Sequence, residues 1–230
     1  MNGWLNFWNK PHALYVNARH LDIHYRELAL RIGPLIPSAD AIVLDFGSGD
    51  ALHSDMIAAL TGRLMLCEAA DTKRAELARR FVANPKISVF APHEAEVLPA
   101  ASVDLILLIS VTQYLAEAEL DRLLALFRRL LKPDGRLIIA DVIPPHVSAY
   151  RDALALLRFG ARHGFFGAAL IGLARTALSD YSRLRAEFGL TLYRQEEMLG
   201  KLIAGGFSPR RAPENLGHNQ ARMTFIARKT

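Results

Sequence analysis

Asp45-Phe46-Gly47-Ser48-Gly49-Asp50 is the stretch of this chain whose residue types first suggest chemistry. It follows an apolar run and precedes a segment of helical periodicity. Glycine at 47 and 49 permits positive φ and lets a ligand approach the backbone beside the free N–H groups of a helix start. The spacing departs from the G-x-G-x-x-G loop of dinucleotide binders, because Leu52 holds the third glycine position. Asp45 and Asp50 put carboxylates where a pyrophosphate would sit, so a cationic or amino-bearing ligand suits the loop better. Two glycines alone fit an ordinary tight turn equally well. Glu68, twenty-three residues after Asp45 at the end of the next apolar run, adds an independent sign. An acidic side chain there is placed to accept hydrogen bonds from both hydroxyls of a ribose.

Proton transfer to an imidazole has candidates in His12, His20, His24, His146, His163 and His218. His146 follows a late apolar run, on the side where a ligand would enter, and His218 precedes the last one. Each fits a packing or surface role more readily than a catalytic one. The single cysteine, Cys67, excludes a disulfide framework and a Cys-rich zinc site, and no metal site is expected.

The elements that must position these residues alternate. Apolar runs at 41–45, 63–67, 86–90, 103–109 and 136–142 read as strands, and 50–60, 72–81 and 117–131 as helices. Near-continuous apolar strands separated by helices predict an α/β, doubly wound parallel sheet covered on both faces. A further strand is expected at 221–227.

With these motifs in order, the chain resembles the class I S-adenosylmethionine-dependent methyltransferases, of the small-molecule, methyltransferase-11-like kind. The resemblance rests on Val43-Leu44-Asp45-Phe46-Gly47-Ser48-Gly49, Glu68, Glu94-Ala95-Glu96-Val97-Leu98-Pro99, Ser102-Val103-Asp104-Leu105-Ile106 and Leu131-Lys132-Pro133-Asp134-Gly135-Arg136-Leu137. Two departures are Ala51, where many members carry a third glycine, and Glu94, where the family usually has Asp. The resemblance implies a seven-stranded, Rossmann-like sheet and S-adenosylmethionine as cofactor. It implies that the backbone from Phe46 to Gly49 meets the methionine and ribose, that Glu68 with Ala69 holds the ribose, and that Glu94-Ala95 meets the adenine. Ser110, Val111 and Tyr114 would line the junction with the substrate, Tyr15 or Tyr25 would reach the cofactor from an N-terminal cap, and His146 and Tyr114 are the catalytic candidates.

One domain is expected, with a helical cap at 1–37, the cofactor core at 38–143, a helical lid at 144–200 and C-terminal strands at 201–230. Residues 153–178 are apolar but interrupted by Arg158, Arg162, His163 and Arg175, too often for a spanning helix. The first thirty residues lack the apolar core of a secretory signal, so a cytoplasmic location is the expectation, with room for peripheral contact at the inner face of a membrane. The pI near 9.6 invites an RNA or DNA methyltransferase, and a non-catalytic binding protein of the same fold is the other alternative. However, residues 1–150 hold 15 Lys and Arg against 17 Asp and Glu, while 151–230 hold 13 against 6. The excess belongs to the variable part, as arginines among apolar residues. No Asn-Pro-Pro-Tyr-like sequence follows the fourth strand, only Ile109 to Tyr114, which disfavours methylation of a base amine. A small, hydrophobic or lipid-like acceptor is expected, with arginines meeting anionic head groups and nucleic acid unlikely as a partner.

Overall fold

The computed structural model describes residues 2–9, 15–177 and 189–230. His12 and part of the expected lid, 178–188, fall outside them. The strands β1 (Ile42–Phe46), β2 (Arg63–Cys67), β3 (Ile87–Phe90), β4 (Val103–Ile109) and β5 (Leu131–Val142) are joined in parallel. After them β6 (Phe207–Arg211) and β7 (Met223–Lys229) form an antiparallel pair, and β7 docks antiparallel on β5. The order β3-β2-β1-β4-β5-β7-β6 makes a seven-stranded sheet whose direction of winding reverses between β1 and β4. That reversal opens a crevice beyond the carboxyl ends of the strands.

The helices follow the apolar spacing. Between strands lie α3 (Ser54–Ala59), α4 (Asp71–Arg80), the short α5 (Pro92–Ala95) and α6 (Glu117–Leu130). In α6 the buried set is Leu120, Leu124, Phe127 and Leu130, the i, i+4, i+7 stripe of a helix lying on a sheet. Its first turn is closed by Glu119, whose Oε2 accepts the Ala116 N–H at 2.8 Å. One buried cluster centres on Phe127, Leu108 and Phe225 and another on Leu64, Leu105 and Ile32, on the two faces of the sheet. Before β1 come α1 (Asn2–Trp8) and α2 (Ala18–Ile32). After β5 come the hairpin α7 (Ala149–His163) and α8 (Phe166–Ala177), then α9 (Gln195–Ala204). The hairpin turns at Gly164 (φ +74°) and is tied to α2, where Glu27 pairs with His163 at 2.9 Å.

Two expectations move at their edges. The helix read over 50–60 begins only at Ser54, because Gly49 and Ala51 (φ +61° and +43°) hold a left-handed bend that a helix cannot absorb. Ala51 thus adopts the conformation for which a third glycine would be suited. The strand read over 136–142 begins at Leu131, with a register shift at 132–135 where Lys132 turns to bond both Asp104 oxygens at 2.8 Å. Asp104 also accepts the Ile42 N–H at 2.8 Å. The Ser-Val-Asp and Lys-Pro-Asp-Gly motifs therefore lock the entry of β1, β4 and β5 at the end of the sheet away from the crevice. Among the described residues no helix is long and apolar enough to cross a membrane.

Candidate functional site

Beyond the ends of β1, β2, β4 and β5 lies a cavity of about 790 Å³. It brings together Asp45, Gly47, Ser48, Gly49, Glu68, Ala69, Ser110, Val111, Tyr114 and Tyr15, which are far apart in sequence. Phe46, Glu94, Ala95 and His146 do not line it. The Phe46 ring points into the core, edge-on to Phe127 at 5.2 Å, so only its backbone belongs to the loop. Glu94 bonds back to the Ala91 N–H at 2.7 Å as the cap of α5, and Ala95 is fully buried. His146 is exposed.

The loop after β1 is clamped to the end of β2. The Gly47 N–H donates to the Cys67 carbonyl at 2.8 Å. The two Glu68 carboxylate oxygens accept from the Gly49 and Ala70 N–H groups, each at 2.8 Å. Burial raises the Glu68 pKa, opposed by those backbone donors. Asp45, with no such donor among the described residues, is pushed up to about 7 by burial and then by the neighbouring Glu68 charge. The floor leaves no room for side chains at the glycines. A Cβ on Gly47 (φ +82°) would stand 2.5 Å from Val111 Cγ2, and one on Gly49 would meet the Tyr25 hydroxyl at 2.7 Å. Gly47→Ala is therefore expected to destabilise the fold by about 2 kcal/mol through left-handed strain and collision, read as a lowered Tm.

The cap closes this half from above. Tyr25 accepts the Asp50 N–H at 2.9 Å, and Lys73 pairs with the Asp50 carboxylate. Tyr25→Phe leaves that N–H without its partner, with an expected cost of about 1–2 kcal/mol and faster amide exchange at Asp50. Trp4 and Trp8 pack on Tyr114, with ring centroids 4.7 and 5.5 Å away.

The other half joins the expected Ser110 to residues that the sequence did not bring together. Ser110 and Asp141, at the ends of β4 and β5, both have positive φ (+58° and +63°), and the serine hydroxyl donates to Asp141 Oδ2 at 2.9 Å. Asp141 also accepts from Asn215 Nδ2 at 2.9 Å and Arg222 Nη1 at 2.6 Å. Burial disfavours its charge, yet Arg222 and Asn215 hold its pKa below the ordinary carboxylate value. Arg222 reaches on to Asp152 of α7 at 3.1 Å. Beside this network His20, His24 and His218 meet ring to ring, and Phe159 stacks on His218 at 4.8 Å. All three imidazoles are held near pKa 4, chiefly by burial, and so stay neutral at pH 7. The place of Asp141 at a strand's carboxyl end was the one available signal. His20, His24 and His218 were candidates by residue type alone, and nothing in the sequence joined them, since they come from α2 and a C-terminal loop.

A profile of a methyltransferase domain matches residues 44–139. The chain carries a class I S-adenosylmethionine-dependent methyltransferase domain. No curated protein gives a significant match. Solved structures resemble the methyltransferase in fold. The Burkholderia thailandensis 1,6-didemethyltoxoflavin-N1-methyltransferase, solved with S-adenosylhomocysteine, is 18% identical, with a TM-score of 0.57 over 90% of this chain and 78% of its own. The DhpI–SAH complex is 13% identical, with a TM-score of 0.62 over 98% and 94%. The mitomycin 7-O-methyltransferase MmcR is 17% identical, with a TM-score of 0.60 over 90%, but this chain spans only about half its length (54%).

S-adenosylmethionine is the cofactor of this methyltransferase, and the glycine side of the cavity fits it chemically. Glu68 offers paired acceptors, the glycines leave the backbone bare, and the buried Ser48 hydroxyl has no hydrogen-bond partner among the described residues.

Proposed function

We propose that the methyltransferase transfers the methyl group to a small hydrophobic, lipid-like acceptor by direct displacement. The observation that carries this reading is the continuity of one cavity. Its first half is the bare, acidic glycine loop with Glu68, and its second is walled by Trp4, Tyr114, Leu156 and Leu173. When bound, S-adenosylmethionine supplies a methyl group already activated on a sulfonium, so the protein's task is alignment and exclusion of water. Glu68 orients the ribose hydroxyls, the backbone at Gly47 to Gly49 follows the methionine part, and Asp45 faces its positive charge. Ala69, Val111 and Tyr15 close around it, and Ser110 and Tyr114 mark the passage to the acceptor.

An acceptor hydroxyl or amine that loses a proton needs a base. The geometry supports His24 or His218 here and gives no support to His146. Both imidazoles are neutral at pH 7 and line the cavity, and the ionised Asp141 nearby stabilises the cation formed. A lipid-like acceptor also gives peripheral contact with an anionic membrane a purpose. Calorimetric titration with S-adenosylmethionine tests the cofactor half, and absence of binding sinks the reading. Mass spectrometry of the extracted pocket contents, followed by turnover on related compounds, tests the acceptor half. Turnover confined to a fully water-soluble acceptor would rule out the lipid-like class.

A further inference from the structure

Helix α8 is built the wrong way round for a surface helix. Its inward side is small, with Ala169 and Gly172 packed on α7 and Val16, whereas Phe166, Leu170 and Ile171 stand 49%, 56% and 56% exposed. Gly167 and Ala174 lie between them, so the outward half of α8 is apolar up to Arg175 at its edge. A helix apolar all round belongs in an apolar environment. On its partner α7, Arg151, Arg158 and Arg162 recur at i, i+7 and i+11 and are all exposed, forming one stripe along the outside of the hairpin. None of these arginines has an ion-pair partner among the described residues. The only acidic residue from 143 to 177, Asp152, is turned inward to Arg222 and Asn219.

We infer that the α7–α8 hairpin docks the methyltransferase on an anionic lipid bilayer, with Phe166, Leu170 and Ile171 in the acyl boundary and the arginine stripe among the head groups. The charge pattern favours this occupant, because unpaired arginines flanking an apolar face complement anionic phospholipid. The size of the face points the same way. Three half-exposed side chains present on the order of 300 Å² of apolar surface, well short of the ~800 Å² per partner of a stable protein interface. Leu156 of α7 and Leu173 of α8 line the cavity from the inner side of the same hairpin. Docking therefore sets the acceptor half of the site against the bilayer. The purpose of this surface rests on the lipid-like acceptor proposed above, but its existence does not.

The test is co-sedimentation of the full chain with phosphatidylcholine vesicles, with and without phosphatidylglycerol. The chain is expected to partition onto the phosphatidylglycerol vesicles and to be released by salt. Leu170→Glu with Ile171→Glu should abolish binding, and Arg158→Glu with Arg162→Glu should weaken it by on the order of tenfold or more. Both double variants alter exposed positions away from the cavity, so their calorimetric titration with S-adenosylmethionine should match the parent. No partitioning onto either vesicle overturns the proposal, as does binding that survives Leu170→Glu with Ile171→Glu. Self-association lost in that variant, without vesicle binding, would instead assign the face to a second copy of the chain. Vesicle binding by a chain that fails to bind S-adenosylmethionine would retain the docking surface while removing the proposed function.

Discussion

Asp45→Asn is expected to stabilise the cofactor-free methyltransferase at pH 8 and to weaken its hold on S-adenosylmethionine. In the folded chain the Asp45 carboxyl titrates near 7, against 3.8 for an unperturbed group. A raised carboxyl pKa means that between about pH 4 and 7 the folded state binds more protons than the unfolded one. Stability is therefore lost as pH rises through that window, and above it the ionised carboxylate carries the full cost. Three pKa units correspond to about 4 kcal/mol, and relaxation around a partly accessible group brings the expected gain on substitution to about 2–4 kcal/mol. Thermal melts at pH 5 and 8 check this: the variant should gain at pH 8 and little at pH 5. A cationic ligand beside Asp45 reverses the preference and displaces the proton. Affinity for S-adenosylmethionine should consequently rise about tenfold from pH 6 to pH 8 in the parent chain, with proton release, and should be flat in Asp45→Asn. An equally flat profile in the parent would remove Asp45 from the proposed contact.

The second large effect is expected at Glu68. Both of its oxygens are already committed, one to the Gly49 N–H and one to the Ala70 N–H, and each keeps a lone pair for a ligand hydroxyl. Glu68→Gln retains the shape but replaces one acceptor by a donor facing an N–H. The loop after β1 then loses one of its clamps and the ribose one of its acceptors. Charged hydrogen bonds of this kind are worth about 1.5–3 kcal/mol each, so S-adenosylmethionine affinity should fall by about 100-fold or more. Glu68→Ala leaves two buried N–H groups unpaired and should also lower Tm. Calorimetry on Glu68→Gln separates the two effects, because this variant should fold. Unchanged affinity in it would refute the placement of the ribose.

These two residues were legible in the sequence because local order fixes them. A strand, a glycine turn and a helix must follow one another in βαβ units, so Asp45 and Glu68 end adjacent parallel strands and converge whatever the rest of the chain does. The same holds for the parallel sheet itself, whose near-continuous apolar strands can be buried only between layers of helix. Asp104 and Lys132 lie in motifs that carry the resemblance, and they pair at the far end of the strands, where they hold the register. Glu94, expected at the adenine, accepts the Ala91 N–H through one carboxylate oxygen and caps α5.

The amino-acid order alone determined the glycine loop with Glu68, the doubly wound sheet and the basic character of the last third. Tertiary structure decided the half of the cavity proposed for the acceptor. His20 and His24 come from a helix preceding the first strand, His218 and Arg222 from the loop before the last, and Phe159 from the hairpin between them. No periodicity links segments so far apart in the chain. They meet because β7 inserts antiparallel beside β5 and because α2 packs against the α7–α8 hairpin. Burial then keeps the imidazoles neutral, a property of the assembled site that none of the three segments has by itself.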